Sequence, residues 1–315
     1  MQRSSSRLLL CAMLVLGIVP AVHAAQRTFV SSLGSDANPC SLTLPCRGFQ
    51  AAITAVDPGG EVVALDTAGY GPMTIGKSVA VIVPTGIHAG ITASTGSAIT
   101  INGAGIIVAL RGIYLNSTGA AVGIMVFSAA EVHVENCVVA GFSNQGILVG
   151  NSSGTVLSIL DTIVRDNAHG GIVIDNYLAA ARATVTIDRV RVERNGNSGG
   201  GLYEGGIAAV SNTDVTISNS VATGNFRGIQ ACGSPTLDPN AVVVIQDTVV
   251  TNNVVGLFVA PNVSTACAML SSNSSITRNS LYGIEQQGGS VITSFGGNTV
   301  FNNAANTFGL TQGKI

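Results

Sequence analysis

Short apolar runs rich in Val, Ile and Thr recur along the chain, each closed by Asn, Asp, Gly or Ser. The clearest copy is Val215 to Ala231, V-T-I-S-N-S-V-A-T-G-N-F-R-G-I-Q-A. The same pattern runs from Val132 to Val149, from Leu157 to Ile174 and from Val243 to Val259. One set of positions carries Asn167, Asn195, Asn225, Asn253 and Asn279. Another carries Gly123, Gly146, Gly171, Gly206, Gly228, Gly256, Gly283 and Gly309, each taken as opening a strand. The period is about 25 residues, within the range of solenoids. β-branched runs separated by residues that tolerate left-handed dihedrals are strands and turns. One unit buries too little apolar surface to fold alone, so each strand must pair with its equivalent one coil away.

A leucine-rich repeat would show a Leu-x-x-Leu-x-Leu frame and helical stretches, which this chain lacks. The pattern therefore predicts an all-β, single-stranded parallel β-helix of about ten coils over residues 61–309, a rod about 50 Å long. Its hand should be right, the strong default for crossovers between parallel strands. Asp161, Asn219, Asp247 and Asn273 share one turn position, with Arg189 interrupting, and are expected to stack their amides up the rod.

On these residues the repeat resembles that of secreted right-handed parallel β-helix proteins with a pectin-lyase-like fold. The stretch Gly69 to Val83, with Tyr70, Ile75 and Lys77-Ser78-Val79, resembles the opening coil of bacterial members of the carbohydrate-binding and sugar-hydrolase group. The resemblance implies a fold more than an activity, because this architecture hosts lyases, hydrolases, esterases and binding proteins.

Residues 1–24 have the form of a signal peptide: Arg3 and Arg7, an apolar segment from Leu8 to Val19, and Val22-His23-Ala24 before cleavage. Residues 25–60 are expected to cap the rod, with a Cys loop and a short helix, and residues 61–315 to form the β-helix domain. Apolar residues at Phe49, Ala52, Ile53 and Val56 place that helix within Arg47–Val56, and Asp57-Pro58-Gly59-Gly60 should stop it. Export favours disulfides. Cys40 should join Cys46, Cys232 should join Cys267, and Cys137 should remain a buried thiol.

The 315 residues are 46% hydrophobic and 10% charged, with 39 Gly, no Trp and a net charge of −2. Near-neutral charge without basic runs argues against a nucleic-acid partner. No segment after the signal is suited to span a bilayer, and a secreted or periplasmic monomer without cofactor or metal is expected. Charged residues concentrate in two adjacent coils, where the repeat places Asp161 beside Arg189, Arg165 beside Glu193 and Asp166 beside Arg194.

The pectin-degrading hydrolases carry Asn-Thr-Asp, then Asp-Asp, Gly-His-Gly and Arg-Ile-Lys. This chain has Asn212-Thr213-Asp214, but no Asp-Asp or Arg-Ile-Lys follows, and His169-Gly170 precedes that tripeptide. Pectate lyases need a calcium-binding carboxylate cluster and an arginine base, and no matching set occurs. No catalytic residue is assigned. The conspicuous irregularity is the insertion Gly196 to Gly205, G-N-S-G-G-G-L-Y-E-G. It brings Glu204 beside His169, with Tyr203 and Phe226 near and Tyr177 further off. Aromatic faces and a carboxylate suit a sugar ring. The chain is thus expected to be a non-catalytic carbohydrate- or cell-surface-binding protein. The alternatives are a polysaccharide lyase or glycoside hydrolase, and an adhesin-like rod.

Overall fold

The computed structural model describes residues 25–150, 154–176, 180–196, 203–232, 240–262 and 266–309. Residues 1–24, read above as a signal peptide, and Tyr177 lie outside the described residues. Strands follow one another around three faces and pair only in parallel with their equivalents in the coils before and after. The first sheet has eleven strands, beginning with Ala25–Val30. The second and third have ten each, beginning with Ala68–Gly69 and Met73–Ile75. The solenoid makes about eight turns, a count slightly different from the ten expected, and its spacing is near-even from the start, with third-sheet strands opening at Met73, Ser97, Val122 and Gln145.

Inside the coil, alternate side chains make one continuous core. Ile172, Ile207, Ile229 and Leu257 stack in register along the third sheet, and Val185, Val215, Val243 and Met269 along the first.

Two turn columns carry polar residues, and they differ. Asn136, Asp161, Arg189, Asn219, Asp247 and Asn273 all have φ between 48° and 52°. They join the first sheet to the second. No amide ladder forms there, because the column mixes carboxylates and a guanidinium that must stay in water. The ladder forms in the second column, between the second and third sheets. Asn167, Asn195, Asn225, Asn253 and Asn279 are buried, and the Nδ2 of each donates to the Oδ1 of the next at 2.8–3.1 Å. The row runs on to Asn303, whose Nδ2 donates to Asn306 Oδ1 at 3.1 Å. At its other end Phe142 holds the equivalent place, its N–H donating to Asn167 Oδ1.

The glycine column follows from this ladder. A Cβ on Gly171, Gly206, Gly228 or Gly256 would lie 2.7–2.9 Å from an Asn Nδ2 of the next coil. Gly309 does not belong to the column. In the last coil Tyr282 pairs with Ala305 and Ile284 with Thr307, so Asn306 stands where Gly283 stands one coil earlier.

The helix is Phe49–Ala55, with Phe49, Ala52 and Ile53 buried against the first coil. The helix ends at Ala55, just before Asp57-Pro58-Gly59-Gly60 as expected, and the chain passes directly into the strand Val56–Ala64, where a register shift against Ala25–Val30 with Gly59 at φ 84° absorbs the irregularity. Cys40 is bonded to Cys46 and Cys232 to Cys267, and Cys137 is a buried free thiol. Burial pushes the Cys137 thiol up to about 11, so it stays protonated and inert.

Asp66 ties the cap to the first coil. Its carboxylate accepts from Ser31 Oγ, Ser32 N and Ser32 Oγ, each at 2.8 Å, and from the Tyr70 hydroxyl. Burial alone would raise its pKa, but these donors outweigh it and hold the group at about 2, against an ordinary 3.8. A carboxylate depressed in the folded state adds stability above its unfolded pKa and loses it as pH falls through the folded one. Asp66→Asn should therefore melt below the parent at pH 6, and the gap should close between about pH 4 and about pH 2. A gap that stays constant down to pH 2 would show that the charge does not fasten the cap.

Candidate functional site

The corner that carries the ladder also carries the most chemistry. Each turn there is built alike: an exposed left-handed residue, then the buried Asn. The left-handed places hold Asp166, Arg194, Gly224 and Asn252, at φ 58°, 50°, 69° and 55°. Asp166 and Arg194, one coil apart, form a two-point ion pair with N–O distances of 2.7 and 3.0 Å. The Arg194 hydrogen bond holds the Asp166 carboxyl below its ordinary range. Gly224 follows with no side chain, and Phe226 and Val254 rise beyond it. Asp166, Arg194, Gly224, Phe226 and Val254 line a groove of about 380 Å³.

Beside the groove the repeat places His169 next to Glu204, with His169 Nδ1 3.3 Å from Glu204 Oε1. The Glu204 side chain is 5% exposed and that of His169 43%. Residues 197–202 of the insertion lie outside the described residues, and Tyr203 and Glu204 are the described part of it that meets the third sheet. Tyr203 packs on Val173, Ala208 and Val210, and its hydroxyl donates to Asp175, which also accepts from Ser211 Oγ at 2.8 Å. Tyr203 thus spends its hydroxyl and part of its ring on the fold, and it is half-buried, as are His169 and Phe226.

Arg227 is the feature that sequence reasoning missed. Its guanidinium lies 3.9 Å from the ring centre of Phe258 and 5.7 Å from that of Phe226. Its Nη1 donates to the buried Gln230 at 2.9 Å. Burial lowers its pKa, while the Glu285 and Glu204 carboxylates oppose that shift. In register Arg227 stands opposite Val255, and it is Gln230, which Arg227 bonds, that stands opposite Phe258.

The charged coils are placed as expected with one exception. Arg189 forms a two-point pair with Asp161 at 2.7 and 2.9 Å. Arg165 and Glu193 sit side by side in register but do not pair. Glu193 is taken by Arg191 and Arg194, and Arg165 turns to Asp166 at 3.3 Å. Arg191, on the same outer face two residues along, reaches the Glu193 carboxylate first. Asp214, of the hydrolase-like tripeptide, is held by Arg182 at 2.7 and 2.9 Å on the first sheet, away from this corner. Among the described residues, no three His, Cys, Asp or Glu side chains gather as a metal ion would need.

A family model described as the right-handed beta helix region matches residues 68–203 and 123–305. The chain belongs to that family. No curated protein matches this right-handed β-helix by sequence. Among solved structures it is similar to an alginate lyase from Paenibacillus sp. str. FPU-7, with TM-score 0.60, 14% identity, and 92% of this chain and 100% of that one covered. It is similar to the pectate lyase Pel9A at TM-score 0.56 and 14% identity, covering 92% of this chain and 78% of that one. A polygalacturonase from Erwinia carotovora ssp. carotovora aligns at TM-score 0.55 and 11% identity, over 91% of this chain and 95% of that one. These likenesses establish the pectin-lyase-like fold of the β-helix. At such identity they assign no residue of the corner a role.

Proposed function

We propose that this β-helix is exported and binds polysaccharide, without cleaving it, along the groove between its second and third sheets. The observation that carries the reading is the groove itself. It offers Phe226 as an apolar platform, Gly224 as a flat floor and the Asp166–Arg194 pair as hydrogen-bonding partners for hydroxyls. His169 extends the polar edge. Solved structures of the same fold are named for alginate, pectate and polygalacturonate, which supports a sugar polymer as the ligand class. Two disulfides suit an oxidising compartment, and no helix among the described residues is long and apolar enough to cross a membrane.

Of the five residues first picked for ligand contact, His169 and Phe226 are the better candidates, with Arg194 and Asp166 added. Phe226→Ala together with Arg194→Ala should weaken binding on a polysaccharide array by about tenfold or more, with little change of melting temperature. Tyr203→Ala should instead destabilise the fold, through Asp175 and the apolar patch beneath the ring.

A second reading rests on the His169–Glu204 contact, which could move a proton at a glycosidic bond. New reducing ends or unsaturated uronides from any bound polymer, lost on His169→Ala, would establish the enzyme reading. No binding to any polymer by the parent would leave a structural rod.

A further inference from the structure

The two ends of the rod are treated in opposite ways. At the N-terminal end every sheet has its outer edge occupied. In the first sheet, Phe29 of the opening strand and Ser31 just after it make backbone hydrogen bonds with Cys40 and Cys46 of the disulfide loop, at 2.8–3.0 Å. In the second, Arg47 Nη1 donates to Gly69 O at 2.7 Å and Phe49 N to Tyr70 O at 3.0 Å. In the third, Gln50 Oε1 accepts from Thr74 N at 2.7 Å.

At the other end the last strands are Val291–Ser294, Thr299–Phe301 and Ala305–Phe308. Each is the terminal member of its sheet, and no described element covers it. Edge strands are ordinarily blunted by charge or proline. Here no charged residue and no proline occurs from Gln286 to Gly309. The same coil exposes Phe295 and Phe301, each at 68%, and Phe308 at 49%.

We infer that this end is an interface for a second copy of the same chain, joined tail to tail. Turning one rod end over end brings each open edge against a partner's edge with the strands antiparallel, in a self-complementary contact that closes at two. A second copy is the occupant favoured by charge, because a face without charge meets its own likeness without repulsion. A head-to-tail filament is blocked, since the cap already uses the opposite edges. The outcome is a dimer, not the monomer expected from the sequence.

The test is sedimentation and light scattering of the mature chain from about 1 to about 100 µM. The parent should double its mass across that range, and its melting temperature should rise with concentration. Phe295→Lys with Phe301→Lys, both exposed, should weaken dimerisation at least tenfold and leave the circular dichroism unchanged. Leu33→Lys, at a residue 94% exposed in the cap at the other end, should dimerise as the parent does. A monomeric parent, a double Lys variant that still dimerises, or a Leu33→Lys chain that does not would each overturn the assignment. So would dimerisation that appears only after residues 310–315 are removed, since that would give the face to the chain's own tail.

Discussion

Asn225→Ala should lower the melting temperature by roughly 10 °C, from a loss of about 4–6 kcal/mol. Asn225 is 2% exposed and its amide serves four bonds. Its Oδ1 accepts from Asn195 N at 2.9 Å and Asn195 Nδ2 at 3.1 Å, and its Nδ2 donates to Asn253 Oδ1 and Val192 O at 3.1 Å. Truncation strands two donors on Asn195 and the Val192 carbonyl where water has no entry. Each stranded buried group costs about 1–3 kcal/mol, and the cavity adds to it. Asn219→Gly is the contrast. Asn219 sits in the exposed turn column at φ 48°, a conformation glycine adopts freely, and loses one contact, to Asp188. That variant should stay within about 1 kcal/mol of the parent. Equal losses in thermal melts of the two variants would mean that the buried ladder is not what secures the coils.

The same pair of columns shows how much was legible in the chain. The period, the parallel pairing and the two disulfides follow from spacing alone, because every coil must present the same chemistry at the same place. The amide ladder stands in the other column from the one expected, and the composition of each column decides it. The turn that holds Asp161 and Arg189 admits charge, so it faces water. The column of Asn167, Asn195, Asn225, Asn253 and Asn279 admits none. Counting on from Asn303 would likewise have put Asn306, not Gly309, at the last glycine place. That same count would have revealed Asn306 as the ladder's final acceptor.

The corner was half legible, for a physical reason. His169 and Glu204 could be paired by counting back from the glycines, because the strands after them are fixed in register. The path of the inserted segment is not set by the repeat, so the use of Tyr203 on Asp175 could not be counted out. Nor could the turn of Arg227 onto Phe258, which depends on one side chain crossing between coils.

Gly228→Ala should cost about 3–5 kcal/mol, although it adds a single carbon. The new Cβ would stand 2.5 Å from Val250 Cγ1, 2.6 Å from the Gly256 carbonyl oxygen and 2.9 Å from Asn253 Nδ2. Two of these atoms cannot yield locally. The carbonyl belongs to the next coil, held at the strand spacing of about 4.8 Å, and the amide is locked between Asn279 and Ala222 O. Relief therefore requires the coils to part. Gly150→Ala is the control, since a Cβ there meets nothing within 4 Å, and its melt should move by less than about 0.5 kcal/mol. If the ladder amide is part of the clash, Asn253→Ala should partly relieve it. The double variant, Gly228→Ala with Asn253→Ala, should then cost less than the sum of the two singles. Strict additivity would assign the glycine to the Val250 and Gly256 contacts alone and separate the two columns.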